Sequence, residues 1–213
     1  MRYAPDHKAK TRKRIVRAAA RTFRRHGYRA SGVDAVMAAA GLTAGGFYSH
    51  FRSKDDLFAE VLDHATREAG EVLTADLDPA DPDAWRRGVI QKYLSVEHLR
   101  RPADGCPLPP LLGEIARAGG RTRRTFSAGF EERVAAMAAA LPAASSRTSD
   151  HAIALWATMV GAMLIARALA DHDEAERVLR ACREFLLASL DGDRAPERAT
   201  RSSRNGRAKV GRT

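Results

Sequence analysis

Cysteine is almost absent from the 213-residue chain: the two present, Cys106 and Cys182, lie 76 positions apart. That excludes a disulfide scaffold and suits a reducing cytoplasm, the compartment expected here. β-Branched residues never alternate with polar ones over a run, so no sheet is expected. No uncharged apolar stretch reaches the roughly 18 residues that a bilayer span needs. The most apolar segment, 152–166, is bounded by Asp150 and Arg167 and reads as a buried helix, so no membrane is expected among the partners. The first residues are basic but lead into no apolar segment, which argues against a secretory signal. Glycine and proline, 16 and 9, are too few for a collagen-like or linker-dominated chain. His-Glu-x-x-His and Cys-x-x-Cys do not occur, and the seven histidines are scattered. No catalytic set, metal site or cofactor is therefore expected.

What is present is an ordinary globular composition, 45% hydrophobic and 29% charged, with an uneven distribution of charge. Residues 1–55 hold 13 Lys and Arg against 3 Asp and Glu, residues 56–190 hold 16 against 20, and residues 191–213 hold 7 against 3. A basic first quarter on a mildly acidic body implies that one segment meets a polyanion and the rest does not. Thirty of the 36 basic residues are arginine; bidentate phosphate recognition and a GC-rich coding bias explain this equally well.

Apolar residues recur at spacings of three and four almost throughout. A first helix over 8–26 places Ile15, Ala18, Ala19 and Phe23 on one face and stops at Gly27. Ser31 with Asp34 starts a second, ending at Gly41, and Thr43 caps a third of about seven residues. Ser53 with Asp56 caps a fourth, to about residue 75, and Pro79 and Pro82 then mark a corner. Further helices are expected over 85–99, 111–118, 122–141, 150–170 and 174–190, with Ser149 as a cap. The fold class is all-α. The boundaries expected are a helix-turn-helix DNA-binding domain at 1–52, a helical ligand-binding and dimerisation domain at 53–191 joined to it by the helix 53–75, and a disordered basic tail at 192–213.

Two short helices joined at Gly41-Leu42 have the length of a helix-turn-helix, and a seven-residue helix, about 10 Å long, fits a major groove about 12 Å wide. Its two adjacent glycines, Gly45 and Gly46, each cost about 1 kcal/mol relative to alanine, so something other than helix propensity favours them. Close approach to a sugar-phosphate strand is one such reason.

The run Ile15 to Ala20 with Phe23 and Gly27-Tyr28, then Val33 to Gly41, Leu42-Thr43, Gly46 to Phe51, and Ser53 to Leu57, closely resembles the amino-terminal domain of TetR-family transcriptional regulators. Beyond residue 76 the likeness is looser, carried by Gly105 to Leu108 and Val160 to Arg167. The resemblance implies a three-helix DNA-binding head, an all-helical ligand domain, and a homodimer that releases a palindromic operator when a small-molecule effector binds. It assigns Tyr48, His50 and Lys54 to phosphates, Thr43 to a cap and to backbone or base, and Ala44 and Gly46 to base edges. Ser31 is included, although at Gly32 the family more often has a second hydroxyl. The basic arm Lys8, Lys10, Arg12, Lys13 and Arg14 tracks DNA or is simply a solvated charge run.

In the body, Trp85, Tyr93, Cys106, Leu112, Phe126, Phe130 and Trp156 are candidate ligand contacts, each equally readable as plain core. Trp156, Val160, Gly161, Leu164, Leu179, Cys182 and Leu186 are candidates for a dimer bundle made by the last two helices, against the alternative of a monomer core. Cys106 has two readings: a small residue lining the pocket mouth or core, or, with Arg100 and Arg101 nearby to lower its thiol pKa, a redox or electrophile sensor. An all-helical enzyme and a non-specific nucleoid-type DNA binder remain the alternative functions.

Overall fold

The computed structural model describes residues 5–142 and 148–192. They form α1 (Pro5–His26), α2 (Val33–Ala39), a 3-10 helix (Ala44–Ser49), α3 (Lys54–Thr74), α4 (Pro82–Tyr93), α5 (Val96–Arg100), α6 (Leu108–Ala116), α7 (Gly120–Ala139), α8 (Thr148–Ala168) and α9 (His172–Gly192). No strand occurs among the described residues. The expected tail lies outside them, apart from Gly192 at the end of α9.

Ile15, Val16, Ala19, Ala20 and Phe23 bury one face of α1. Gly27, at φ +82°, then turns the chain and returns its N–H to the Phe23 carbonyl at 2.9 Å. The next two backbone N–H groups, of Tyr28 and Arg29, donate to the two carboxylate oxygens of Glu114 on α6, at 2.6 and 2.7 Å. This fastens the corner of the head to the body. Gly41, at φ +65°, makes the second turn, after α2.

Several local expectations change. Ser31 does not cap α2: its hydroxyl turns inward, donates to the Gly27 carbonyl at 2.7 Å and is 3% exposed, leaving Gly32 at the N-cap. Thr43 stands at the N-cap of the next element without a side-chain hydrogen bond, and that element is 3-10 rather than α. Six residues containing two glycines lack the propensity to close a second α turn, and 3-10 geometry suits short pieces. Phe47 and Phe51 still anchor it, stacked at 5.6 Å and fully buried.

Ser53 caps α3 as expected, accepting the Asp56 N–H at 3.0 Å. The helix expected over 85–99 breaks at Leu94, where Ser95 captures the His98 N–H at 3.1 Å and starts α5. Pro109 and Pro110 fall inside α6, in its first turn, where a missing N–H costs nothing. Ser149 lies within α8, which begins at Thr148.

One apolar core runs from α1–α3 into α4 and α6–α9 without a gap between head and body. α3 is its spine, packing on α1, α4 and α7. Buried Arg86 ties α4 to the end of α7 by donating to the Ala140 carbonyl at 2.7 Å and pairing with Asp83 at 2.6 Å. With its flanking charges counted in, α8 is long and apolar enough to cross a membrane by length and composition. Leu155, Trp156, Met159, Val160 and Met163 are nevertheless buried within the protein.

The junction of head and body is aromatic: Phe58 meets Phe23 edge-on at 5.9 Å and stacks on Tyr28 at 4.1 Å. Phe58→Ala is therefore expected to lower the unfolding free energy by about 3–5 kcal/mol, measured by urea denaturation followed by circular dichroism.

Candidate nucleic-acid interface and internal cavity

The 3-10 helix presents Thr43, Ala44, Gly45, Tyr48 and Ser49 to solvent, with Tyr48 74% exposed against the edge of Phe47 at 5.2 Å. Sequence reasoning did not single out Ser49, and it named Gly45 only as one of the two adjacent glycines. A Cβ on Gly46 would meet Met37 at 3.6 Å, so Gly46 is the position where this element touches α2 rather than open surface. Gly45 has open space around it and is the bare glycine of the pair.

The basic arm divides. Lys8, Lys10, Lys13 and Arg14 are exposed along α1. Arg12 is not available to a polyanion: it pairs with Glu60, donates to the His50 carbonyl and lies 4.1 Å over the Phe51 ring, clamping the end of the 3-10 helix to α1. His50 is half-buried, and burial with Lys8 and Arg12 beside it pushes its pKa down, so the imidazole is neutral at pH 7. Lys54 also departs from the simple assignment. Its ammonium points to the Arg29 carbonyl at 3.4 Å and lies 4.3 Å from the Tyr28 ring, and burial pushes its pKa down. Ser31, buried, is removed from the surface altogether.

Behind the head lies a half-open cavity of about 1150 Å³ between α1, the second half of α3, α4, α5 and the 101–107 strap, reaching Arg133 of α7 and Trp156 of α8. Of the expected ligand residues it gathers Tyr93, Cys106 and Trp156. Trp85, Leu112, Phe126 and Phe130 are half-buried core, the last two stacked at 5.9 Å along α7. Sequence reasoning missed His98, Arg24 and Arg133. An arginine inside an otherwise apolar helical face was the available signal.

The strap is held from both sides. Arg24 of α1 donates to the Gly105 carbonyl at 2.7 Å and pairs with Glu68 at 3.5 Å, while Arg21 pairs with Asp104 at 2.9 Å. His98 donates from Nδ1 to the Tyr93 carbonyl at 2.7 Å and accepts the Cys106 N–H at Nε2 at 3.1 Å, an arrangement that requires the neutral ring. Burial and Arg167 push its pKa down, which keeps it in that form.

Cys106 overturns one expectation. Arg100 and Arg101 face away, paired with Glu176 and Glu97, and burial pushes the thiol pKa up rather than down. A thiol so placed is a poor nucleophile.

On the far side, Leu179 and Leu186 are core of the single chain, Val160 is buried, and Trp156 donates its indole N–H to the Arg133 carbonyl at 3.0 Å, beside the cavity. None of these four offers a face to a second copy. Gly161 stands against open space, Cys182 is half-buried and Leu164 is exposed, together with Ile153, Ile165 and Phe185, which the sequence reading did not include.

Residues 15–61 match the family model described as bacterial regulatory proteins, tetR family. That segment of the chain is thus similar to the regulatory proteins of the tetR family. The segment is 36% identical over 62 residues to the HTH-type transcriptional regulator AcrR of Shigella flexneri, 29% of each chain. The HTH-type transcriptional repressor DhaR of a Mycobacterium strain is 26% identical over 123 residues, 58% of this chain and 61% of that one. The matched stretches thus span less than two thirds of either curated relative. The TetR fold extends over more of the molecule. A TetR transcriptional regulator from Chloroflexus aurantiacus superposes with a TM-score of 0.69 at 24% identity, covering 85% of this chain and 96% of that one. AibR, crystallised with isovaleryl coenzyme A and operator DNA, does so with a TM-score of 0.59 at 18% identity, covering 83% and 98%. The relatives are named as regulators, not enzymes.

Gly105 sets the strap against His98: a Cβ there would fall 2.5 Å from the ring, which its two hydrogen bonds hold in place. Gly105→Ala is expected to release the strap at a cost of about 1–3 kcal/mol, seen as a lower melting temperature and faster proteolysis within 101–107.

Proposed function

We propose that this chain is a TetR-family protein, a dimeric transcriptional regulator in the cytoplasm, which binds a palindromic operator through the 3-10 helix and α1 and leaves it when a small molecule fills the cavity. The reading rests on one juxtaposition. The strap that covers the cavity is held by α1, and α6, which follows the strap, holds the Tyr28-Arg29 corner through Glu114. Any ligand that displaces the strap therefore pulls on both supports of the 3-10 helix. Within the head, Tyr48, Thr43 and Ala44 meet DNA, with the exposed basic residues of α1 beside them. Lys54 and Arg12 act by holding the head in shape.

The dimer would use the outer faces of α8 and α9. Ile153, Leu164, Ile165 and the 68% exposed Phe185 form an apolar surface there, and Gly161 allows close approach.

Selection of fragments from genomic DNA by the purified chain tests this reading. One palindromic sequence is expected, bound with a log-log salt slope of about −0.9 per neutralised phosphate. Tyr48→Ala is expected to weaken binding to that sequence by about tenfold to a hundredfold while leaving stability within about 0.5 kcal/mol. Recovery of fragments without a common sequence would instead mark a non-specific DNA binder.

A further inference from the structure

Arg133 in the cavity wall, and Arg167 near it, carry positive charge that no ion pair among the described residues neutralises. At the mouth and sides, each lining carboxylate already holds a cation: Glu68 holds Arg24, Asp76 holds Lys92, Glu97 holds Arg101 and Asp104 holds Arg21. Two arginines depart from that pattern. Arg133 and Arg167 form no ion pair among the described residues, and Nε of Arg133 and both Nε and Nη1 of Arg167 are buried without a hydrogen-bond partner. Arg167 uses only Nη2, which donates to the His98 carbonyl at 2.9 Å.

The Tyr93 hydroxyl is close enough to feel both. Tyr93 is 2% exposed and its oxygen has no hydrogen-bond partner beyond the weak one that the Cys106 thiol offers alongside. Both guanidiniums lie within electrostatic reach of that hydroxyl and of the thiol. Burial raises the Tyr93 pKa and keeps the phenol a donor. Trp156 and the Tyr93 ring, edge to face at 5.9 Å, make the adjoining wall apolar.

Unpaired buried guanidinium nitrogens are costly, and three of them beside an unpaired phenol are not explained by packing. An anion with two oxygens satisfies them together, because arginine forks match carboxylates. We propose that the cavity is built for an amphipathic carboxylic acid whose carboxylate sits at Arg133 and Tyr93, within electrostatic reach of Arg167, with its apolar part along Trp156. The inference rests on the reading of the cavity as the effector site.

The test uses the full chain, without DNA, and thermal denaturation with decanoate, 4-phenylbutyrate and indole-3-acetate, each beside its primary amide. At least one acid is expected to raise the melting temperature in a concentration-dependent way while its amide does not. Arg133→Gln and Arg167→Gln are expected to weaken that acid about tenfold or more. Arg167→Gln also alters the His98 contact, so Arg133→Met supplies the control. It removes an unpaired charge, and is expected to leave the ligand-free protein as stable as the parent or more so while abolishing the preference for acid over amide. The proposal is overturned if no acid stabilises the parent, if amides do as well, or if Arg133→Met retains the preference or destabilises the ligand-free chain. Acid binding that leaves an operator complex intact would support the site and count against the regulatory reading alone.

Discussion

A single carboxylate carries the attachment on which the arrangement of head and body depends. Glu114 of α6 accepts the backbone N–H groups of Tyr28 and Arg29, which the turn at Gly27 leaves without carbonyl partners. Charge-assisted bonds of this kind are roughly twice as strong as neutral ones, and two of them fix direction as well as distance. Tyr28 is thereby held in its stack on Phe58, and Lys54 closes the group by reaching the Arg29 carbonyl. Gly27 is required at that turn. Its φ is positive, and it brings the chain beside Glu114, where a Cβ would make ordinary contact at 3.7 Å from the same carboxylate oxygens.

α1 is the second beam of the same frame. Its arginines look from the sequence like a uniform basic face, yet they do different things. Arg12 pins the end of the 3-10 helix, Arg24 holds the strap from within the core, Arg21 holds it from the rim, and Arg14 and Arg17 remain at the cavity mouth. Burial costs Arg24 part of its hydration, which Glu68 and Asp104 offset. Electrostatics thus links the 3-10 helix to the cavity through one helix, while the apolar core below keeps that helix rigid.

Much of this was legible in the sequence, for reasons that differ by element. The apolar spacing of α1, α3 and α9, the stop at Gly27 and the Ser53 cap are local signals, and each appears where it was expected. The break at Leu94, the inward turn of Ser31 and the 3-10 geometry at Ala44–Ser49 are decided by competition between side chain and backbone, which spacing does not reveal. The cavity was the least legible part. Tyr93, Cys106 and Trp156 were found because they are large or unusual residues among apolar neighbours. Phe126 and Phe130 were chosen on the same grounds and lie half-buried against the core, outside the cavity lining. Arg133 and Arg167 were hidden because a long chain rich in arginine gives no sign of which arginines lack a partner. The dimer candidates failed in part for a related reason. α8 is apolar on every side, so periodicity could not separate Leu164, which faces out, from Val160, which faces in.

The central claim is that the strap and the Tyr28-Arg29 corner form one mechanical unit, and amide hydrogen exchange of the full chain measures this directly. His98→Ala removes the acceptor of the Cys106 N–H and loosens the strap without touching the head. The account predicts that exchange at the Tyr28 and Arg29 amides then quickens about tenfold or more through local opening, while the amide of Leu179, in the core of α9, exchanges as in the parent. Faster exchange confined to Cys106 and its neighbours, with Tyr28 and Arg29 unchanged, would contradict it.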